Sequence, residues 1–231
     1  MRSFLNILDR LVLNKYFFWI FTTLLIISLL ISFSLKINLS NVLGIYSNNE
    51  YLLNYGIEAK NGGVVNDLRT HWEYIIALKE DLNNLFIYTL GDDTNLINYP
   101  LHNLIFSQLN FIKSLNDYLI TILVISLILP LIFYLSLKTR FKDLNKSVII
   151  ILSSIILIFP AFQYSAIWGN NHNTALIFFT LGIFYFNSFI KENFTNNRNL
   201  IISIIFFSLA CYTKQYYSFF FIFLLIYLVN K

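Results

Sequence analysis

The chain has 231 residues, 57% of them apolar and 12% charged, where a soluble domain carries about 45–50% and about 25%. With 24 Phe and 15 Tyr against 7 Gly, the composition excludes disorder, collagen-like repeats and a basic nucleic-acid arm, and the long apolar blocks describe an all-α polytopic membrane protein. The net charge of +4 sits mostly beside apolar blocks, where membrane topology accounts for it without a nucleic-acid partner; the single cysteine, Cys211, makes no intrachain disulfide.

Residues 1–15 carry Phe4, Leu5, Ile7, Leu8, Leu11 and Val12 against Asn6, Asp9 and Arg10, a pattern that predicts an amphipathic helix at the cytoplasmic interface. A first span follows over 16–36. It is longer than a signal-peptide core and lacks a small-residue cleavage site, so it reads as a retained helix. Residues 37–117 form a polar stretch, followed by spans at 118–137 and 147–168 that contain Pro130 and Pro160. Between them lies the basic loop 138–146, with Lys138, Arg140, Lys142 and Lys146 against Asp143. The uncharged loop 169–173 precedes a span at 174–190, and the loop 191–199 carries Lys191, Glu192 and Arg198. Positive residues at the N-terminus, at 138–146 and at 191–199 share one side if each block crosses once, and the positive-inside rule places that side in the cytoplasm. The stretch 37–117 and the loop 169–173 then face outward, and the plasma or inner membrane is the expected location.

The last apolar region is interrupted. Leu200–Tyr212 would extend only about 20 Å as a helix against a hydrocarbon core of about 30 Å, and Thr213-Lys214-Gln215 follows. An ammonium at membrane depth costs several kcal/mol unless it reaches water, an anion or the interface. The arrangement predicts two short helices, 200–213 and 214–229, meeting at a water-accessible Lys214. That makes about six hydrophobic segments in all.

Within 37–117, loop length and recurring aromatics predict a helical external domain. Asn66-Asp67 marks a helix start after Gly62-Gly63, and Leu68, Trp72, Ile75, Ile76 and Leu78 carry an amphipathic period to about Lys79. Tyr99-Pro100 precedes a second helix over Leu101–Ile112, with Leu104, Ile105, Leu109 and Ile112 on its apolar face.

Four groups carry candidate chemistry. Asp67 and His71 share a helix face, and a first-turn Asp beside a membrane cavity can act as general base or hold a divalent cation; a capping Asp on a solvated face is the plainer alternative. His102 and Asn103 after Pro100 can contact sugar hydroxyls, or can be surface groups of a Pro-initiated helix. His172 and Asn173 in Gly169-Asn-Asn-His-Asn173 suit carbohydrate because amides both donate and accept; a tight polar turn has the same composition. Lys214 and Gln215 can grip a lipid phosphate, or Lys214 can snorkel at a helix end. Asp92-Asp93 is a further cation candidate that also suits a turn, and Asn193-Phe-Thr195 is a sequon on the cytoplasmic side, where glycosylation is not expected.

Taken together, Asp67 through Tyr74, Tyr99-Pro100-Leu101 and Leu209-Ala-Cys-Tyr-Thr213-Lys214 resemble the N-terminal half of the GT-C membrane glycosyltransferases. The nearest groups are the dolichyl-phosphate-mannose–protein mannosyltransferases and the bacterial transferases that use polyprenyl-phosphate sugars. The resemblance implies a GT-C-like fold and sugar transfer from a polyprenyl-phosphate donor to a glycan, lipid or protein acceptor on the external face. Asp67 would be catalytic, and His71, His102, Asn103, His172, Asn173, Lys214 and Gln215 would bind substrate. It implies no certain cofactor, although a divalent cation is compatible with Asp67. The chain departs from the family in lacking a second acid beside Asp67 and an acidic residue in the second external loop, and in showing fewer spans. The alternatives are a non-catalytic transporter or assembly component, or a truncated inactive transferase.

Overall fold

The computed structural model describes residues 15–42, 63–85 and 100–229, and these are all helix, turn and loop, with no strand among them. The amphipathic segment predicted at 1–15, the Asp92-Asp93 pair and Tyr99 lie outside the described residues, save that Lys15 opens the first helix.

Helix α1 runs Lys15–Val42, and α2 (Gly63–Glu80) and α3 (Leu101–Ser107) form a cap. A long apolar rod follows, α4 (Leu115–Ser126) and α5 (Leu129–Arg140). Ser114 opens it with a capping box: its hydroxyl accepts from the Asp117 N–H while the Asp117 carboxylate accepts from the Ser114 N–H. Pro130 falls in the first turn of α5, where its missing N–H costs nothing, so the rod changes segment without a sharp bend. Asn145 caps α6 (Lys146–Ser154) through the Ser147 N–H. A 3₁₀ turn at Ile155–Ile158 and the extended Phe159 then lead into α7 (Pro160–Ile167), at 55° to the preceding segment. The bend falls at Pro160, which cannot continue the hydrogen-bond ladder of the preceding turn.

Helix α8 (His172–Lys191) is the central element, packing on α5, α7 and α9 (Asn197–Thr213). Gly182 lets α8 and α9 touch: a Cβ there would lie 2.6 Å from the Phe207 ring, and the Ser203 hydroxyl donates to the Gly182 carbonyl at 2.9 Å. After α9 the chain extends at Lys214 (φ −149°, ψ 116°), makes a 3₁₀ turn at Gln215–Ser218 and re-enters helix as α10 (Phe219–Val229). Two short helices, Asn197–Thr213 and Phe219–Val229, thus flank Lys214, with a 3₁₀ turn before the second.

Among the described residues two helices, Leu115–Arg140 and His172–Lys191, are long and apolar enough to cross a membrane, and the bent α6–α7 pair makes a third if it counts as one span. Large apolar side chains such as Ile120, Val124, Ile151, Ile204 and Phe219 are exposed on these and neighbouring helices, the pattern expected where hydrocarbon covers the outer faces.

Several boundaries differ from the sequence expectations for local reasons. Helix α2 starts at Gly63, so Asp67 sits in its second turn and not at its cap. The helix expected over Leu101–Ile112 ends at Ser107, and the Lys79 ammonium bonds the carbonyls of Leu109 and Ile112 in the turns that follow. The polar loop 169–173 is shorter than expected, because α8 begins at His172 and takes His172 and Asn173 into its first turn.

The cap joins the bundle through one apolar core, in which Leu68, Trp72 and Ile75 of α2 and Phe106 of α3 meet Leu115, Tyr118 and Ile122 of α4 and Trp168. Gly169, at φ +65°, turns the chain directly beneath this junction; a Cβ there would lie 2.8 Å from the Tyr118 ring.

Candidate functional site at the cap and bundle junction

Amphipathic periodicity on α2 buries Leu68, His71, Trp72 and Ile75 against the bundle and leaves Asp67 at the edge of that contact. The turn at Gly169 places Asn170 opposite, and Asn170 Nδ2 donates to Asp67 Oδ2 at 3.2 Å, a link between residues 103 apart in the chain. Asn171 occupies the N-cap position of α8 without capping it. Its Nδ2 instead donates to the Thr213 carbonyl at 3.2 Å, which fixes the α8 start against the break that carries Lys214. The three chain segments that supply Asp67, Asn170-Asn171 and Lys214 therefore meet at one end of the bundle.

The histidines sit deeper, and two of them are held neutral. His102 is fully buried; its Nδ1 lies 3.1 Å from Thr174 Oγ1 and its Nε2 lies 2.9 Å from Tyr118 Oη. Tyr118 donates its own proton to the Gly169 carbonyl, so its oxygen accepts from His102 Nε2–H, and His102 Nδ1 accepts from the Thr174 hydroxyl. This chain of donors fixes one tautomer. Burial, with the charges of His71 and Lys214, holds His102 well below the usual histidine range. His71 Nδ1 lies 2.9 Å from Asn103 Oδ1, and its ring centroid lies 5.2 Å from that of His102. Burial pushes His71 down to about 4, against the Asn103 hydrogen bond and with the Lys214 and His172 charges.

Lys214 is the electrostatic centre of the group. Its charge acts on Asp67, His71, His102 and His172. Its ammonium has no hydrogen-bond or ion-pair partner among the described residues. Asp67 is raised above the usual carboxylate range by loss of solvent around its carboxyl, and Lys214 and the Asn170 hydrogen bond pull it back only in part. As a residue Asp67 remains exposed, which suits a carboxylate reached from solution but ringed by low-dielectric neighbours.

Of the other predicted site residues, His172 is half-buried and stacks on Tyr216, its Nδ1 2.6 Å from the Tyr216 hydroxyl. Asn173 turns into the bundle, where its Nδ2 donates to Ser126 Oγ and to the Phe162 carbonyl, both at 2.9 Å. Gln215 is exposed in the 3₁₀ turn beyond Lys214. The amide run after Gly169 brings Asn170 and Asn171 into the sequence reading as part of a carbohydrate-suited segment, whereas Thr174 and Tyr118 are not singled out.

Three amides at this junction are incompletely satisfied. Asn103 Nδ2, Asn170 Oδ1 and Asn171 Oδ1 are buried atoms without a partner. Such groups cost about 1–3 kcal/mol each when nothing meets them; Ser154 Oγ in α6 and Gln163 Oε1 in α7 are in the same state among the described residues. Among the described residues no group of three His, Cys, Asp or Glu side chains converges as a metal site would require. An open groove of about 850 Å³ runs elsewhere on the cap, between α2 and residues 107–113, and neither Asp67 nor Lys214 lines it.

No family model, curated protein or solved structure matches this chain.

Proposed function

We propose that the protein is a multi-pass membrane glycosyltransferase, N-terminus in the cytoplasm, that moves a sugar from a polyprenyl-phosphate donor to an acceptor on the opposite face. The observation that carries this reading is a single one: an accessible carboxylate, Asp67, and an unpartnered ammonium, Lys214, act on each other's charge at one end of an apolar bundle. That pairing suits a displacement in which one group receives a proton and the other meets a departing anion.

The acceptor hydroxyl gives its proton to Asp67 as its oxygen attacks the anomeric carbon. The bond from that carbon to the phosphate oxygen breaks, its electron pair leaves with the polyprenyl phosphate, and Lys214 stabilises the new charge. A fixed cation is effective there because the surroundings are poor in water. A raised carboxyl supports this role, since a base nearer neutrality takes a proton more readily. Direct attack inverts the anomeric centre. His71, His102 and Asn103 lie behind Asp67 as a neutral wall, and His172 flanks Lys214.

The test is sugar transfer by the full chain in lipid, with Asp67→Asn and Lys214→Ala. Turnover should fall by about 10²–10⁴ for Asp67→Asn, and unchanged turnover in both variants removes the mechanism. A transporter is the second reading, favoured by the 55° break between α6 and α7 beside a polar cluster. Substrate accumulation in vesicles with no glycosidic product would decide for it.

A further inference from the structure

We infer that the groove between α5 and α8 binds one acyl chain of a phospholipid whose headgroup carries a primary ammonium, and that the Glu192 carboxylate selects that headgroup. The groove encloses about 410 Å³, within the range of small-ligand sites. Leu131, Ile132 and Leu135 of α5 and Leu181, Phe184 and Tyr185 of α8 form its walls, and Ser188, Glu192 and Asn199 lie toward one end. That end is remote from the cap, because α8 begins at the cap junction with His172 and runs 20 residues, about 30 Å, before Glu192. The groove is therefore separate from the chemistry proposed at Asp67 and Lys214.

Its dimensions select the tail. From Leu181 to Glu192 the α8 wall rises about 16 Å. That is the depth of one leaflet, half of a hydrocarbon core of about 30 Å. Both walls belong to the two helices long and apolar enough to cross a membrane. Ile128, which also lines the groove, is 46% exposed, so the groove communicates with the hydrocarbon around the bundle. An apolar hollow there gains dispersion contacts from any methylene chain that enters it. The tail therefore supplies binding without discrimination, and the end of the groove decides which lipid is held.

At that end the fold places a carboxylate. Asn199 Nδ2 donates to Glu192 Oε2 at 3.1 Å, and the Thr195 hydroxyl donates to the Glu192 carbonyl at 2.6 Å. Asn193 and Phe194 turn the chain at φ 52° and 63°, a conformation side chains rarely adopt, and the Phe194 ring meets Phe189 edge-on at 5.3 Å. The Glu192 carboxylate forms no ion pair among the described residues, although Lys191 precedes it and Arg198 lies across the turn. Lys138, Lys191 and Arg198 near this end attract the phosphate common to all phospholipids, so they do not discriminate. Glu192 does: it repels a headgroup of net negative charge and accepts from a primary ammonium, which has three N–H donors. A choline has none and is recognised through aromatic faces. The aromatic rings of this groove, Phe184 and Tyr185, lie about two helical turns deeper than Glu192.

The experiment is native mass spectrometry of the full chain released from nanodiscs of phosphatidylethanolamine, phosphatidylcholine and phosphatidylglycerol in equal parts, with identical acyl chains. One phosphatidylethanolamine per chain should be retained, with about 10-fold preference over either rival, the scale of one charge-assisted hydrogen bond. Lysophosphatidylethanolamine, with a single chain, should compete for the same place, and glycerophosphoethanolamine, with none, should not. This arm needs no protein variant. Glu192→Gln, at an exposed position, should abolish the preference over phosphatidylcholine while a lipid is still retained, because the walls are unchanged. Equal retention of the three lipids, a preference for phosphatidylglycerol, failure of the single-chain lipid to compete, or a preference that survives Glu192→Gln overturns the site. One-for-one displacement of the retained lipid by decaprenyl phosphate also overturns it, since the groove would then hold an isoprenoid.

Discussion

The two halves of α8 are built by opposite rules. From its middle toward its C-terminus, Gly182 and Phe186 close against Phe207 on α9, the Phe179 ring meets Phe207 and Phe220 in tilted contacts, and the buried Ser203 hydroxyl has the Gly182 carbonyl as its partner. Toward its N-terminus, Asn170, Asn171, Asn173 and Thr174 are buried within five residues, and two of them keep an oxygen without a partner. One half is a close apolar seam. The other carries polar cost that packing does not remove, and a charged pair beside it. A helix that only held the bundle together would gain from making both halves like the first; the contrast is consistent with the proposed site at the cap.

The largest effect that would break this contrast is at Lys214. Lys214→Met should lower turnover about 10²–10³-fold, the scale of one lost charge-stabilising donor. It should also move the acid limb of the pH profile upward. Asp67 is already raised by desolvation and is pulled down by Lys214, so removing the cation raises it further and a higher pH is needed to ionise the base. An unmoved acid limb would separate the two groups.

Next in size is the pH dependence of the cap. His71 titrates near 4 in the fold and near 6.5 when unfolded, and His102 is lowered in the same direction. Their depressed values make the contribution full above the unfolded value and progressively lost as pH falls from about 6.5 toward 4, because only the unfolded chain takes up protons in that window. For His71 the loss approaches about 3 kcal/mol at the bottom of the window. Hydrogen exchange of residues 63–80, corrected for intrinsic rates, should rise through that range while residues 180–190 stay protected. Uniform protection down to pH 4 would contradict the neutral-histidine wall.

How much of this was legible depends on the range of the cause. Lys214 announced itself because an isolated charge inside an apolar block is costly wherever it lands, and the break followed. The apolar run at 118–137 was visible from composition alone, and the structure extends its helix to Leu115–Arg140. The burial of His102 was not visible: its partners Thr174 and Tyr118 lie 72 and 16 residues away, and nothing near Pro100 distinguishes a histidine on a surface helix from one inside a junction. Asp67 was read as a first-turn residue because Asn66 resembles a cap, whereas Gly63 starts the helix one turn earlier. The amides after Gly169 looked like turn residues because their composition is that of a turn. Their vacancy depends on Asp67 and Thr213, which only the tertiary fold brings near.

At the packed half of α8, Gly182→Ala should cost about 1–3 kcal/mol, since the added methyl must displace the Phe207 ring. The loss should appear as a lower thermal midpoint with turnover per folded molecule retained. A variant that folds as well as wild type would show that the seam has slack, and the contrast between the two halves would weaken.

The smallest effect sharpens the boundary of the site. Arg69 follows Asp67 by two residues on α2, yet it points away and pairs with Glu73 at 2.6 Å on a solvent-facing surface. Exposed pairs of this spacing contribute only about 0.3–0.5 kcal/mol. Arg69→Gln should therefore change turnover less than about twofold and stability within that range. Its effect should also weaken further at high salt, where surface pairs are screened. Helical period is what makes the difference: one side chain lies on the edge facing Asn170 and Lys214, and its neighbour two positions on lies on the edge facing water. If Arg69→Gln instead reduced turnover as Lys214→Met does, the functional charge would lie on the outer face of the cap, and the junction between cap and bundle would be its support.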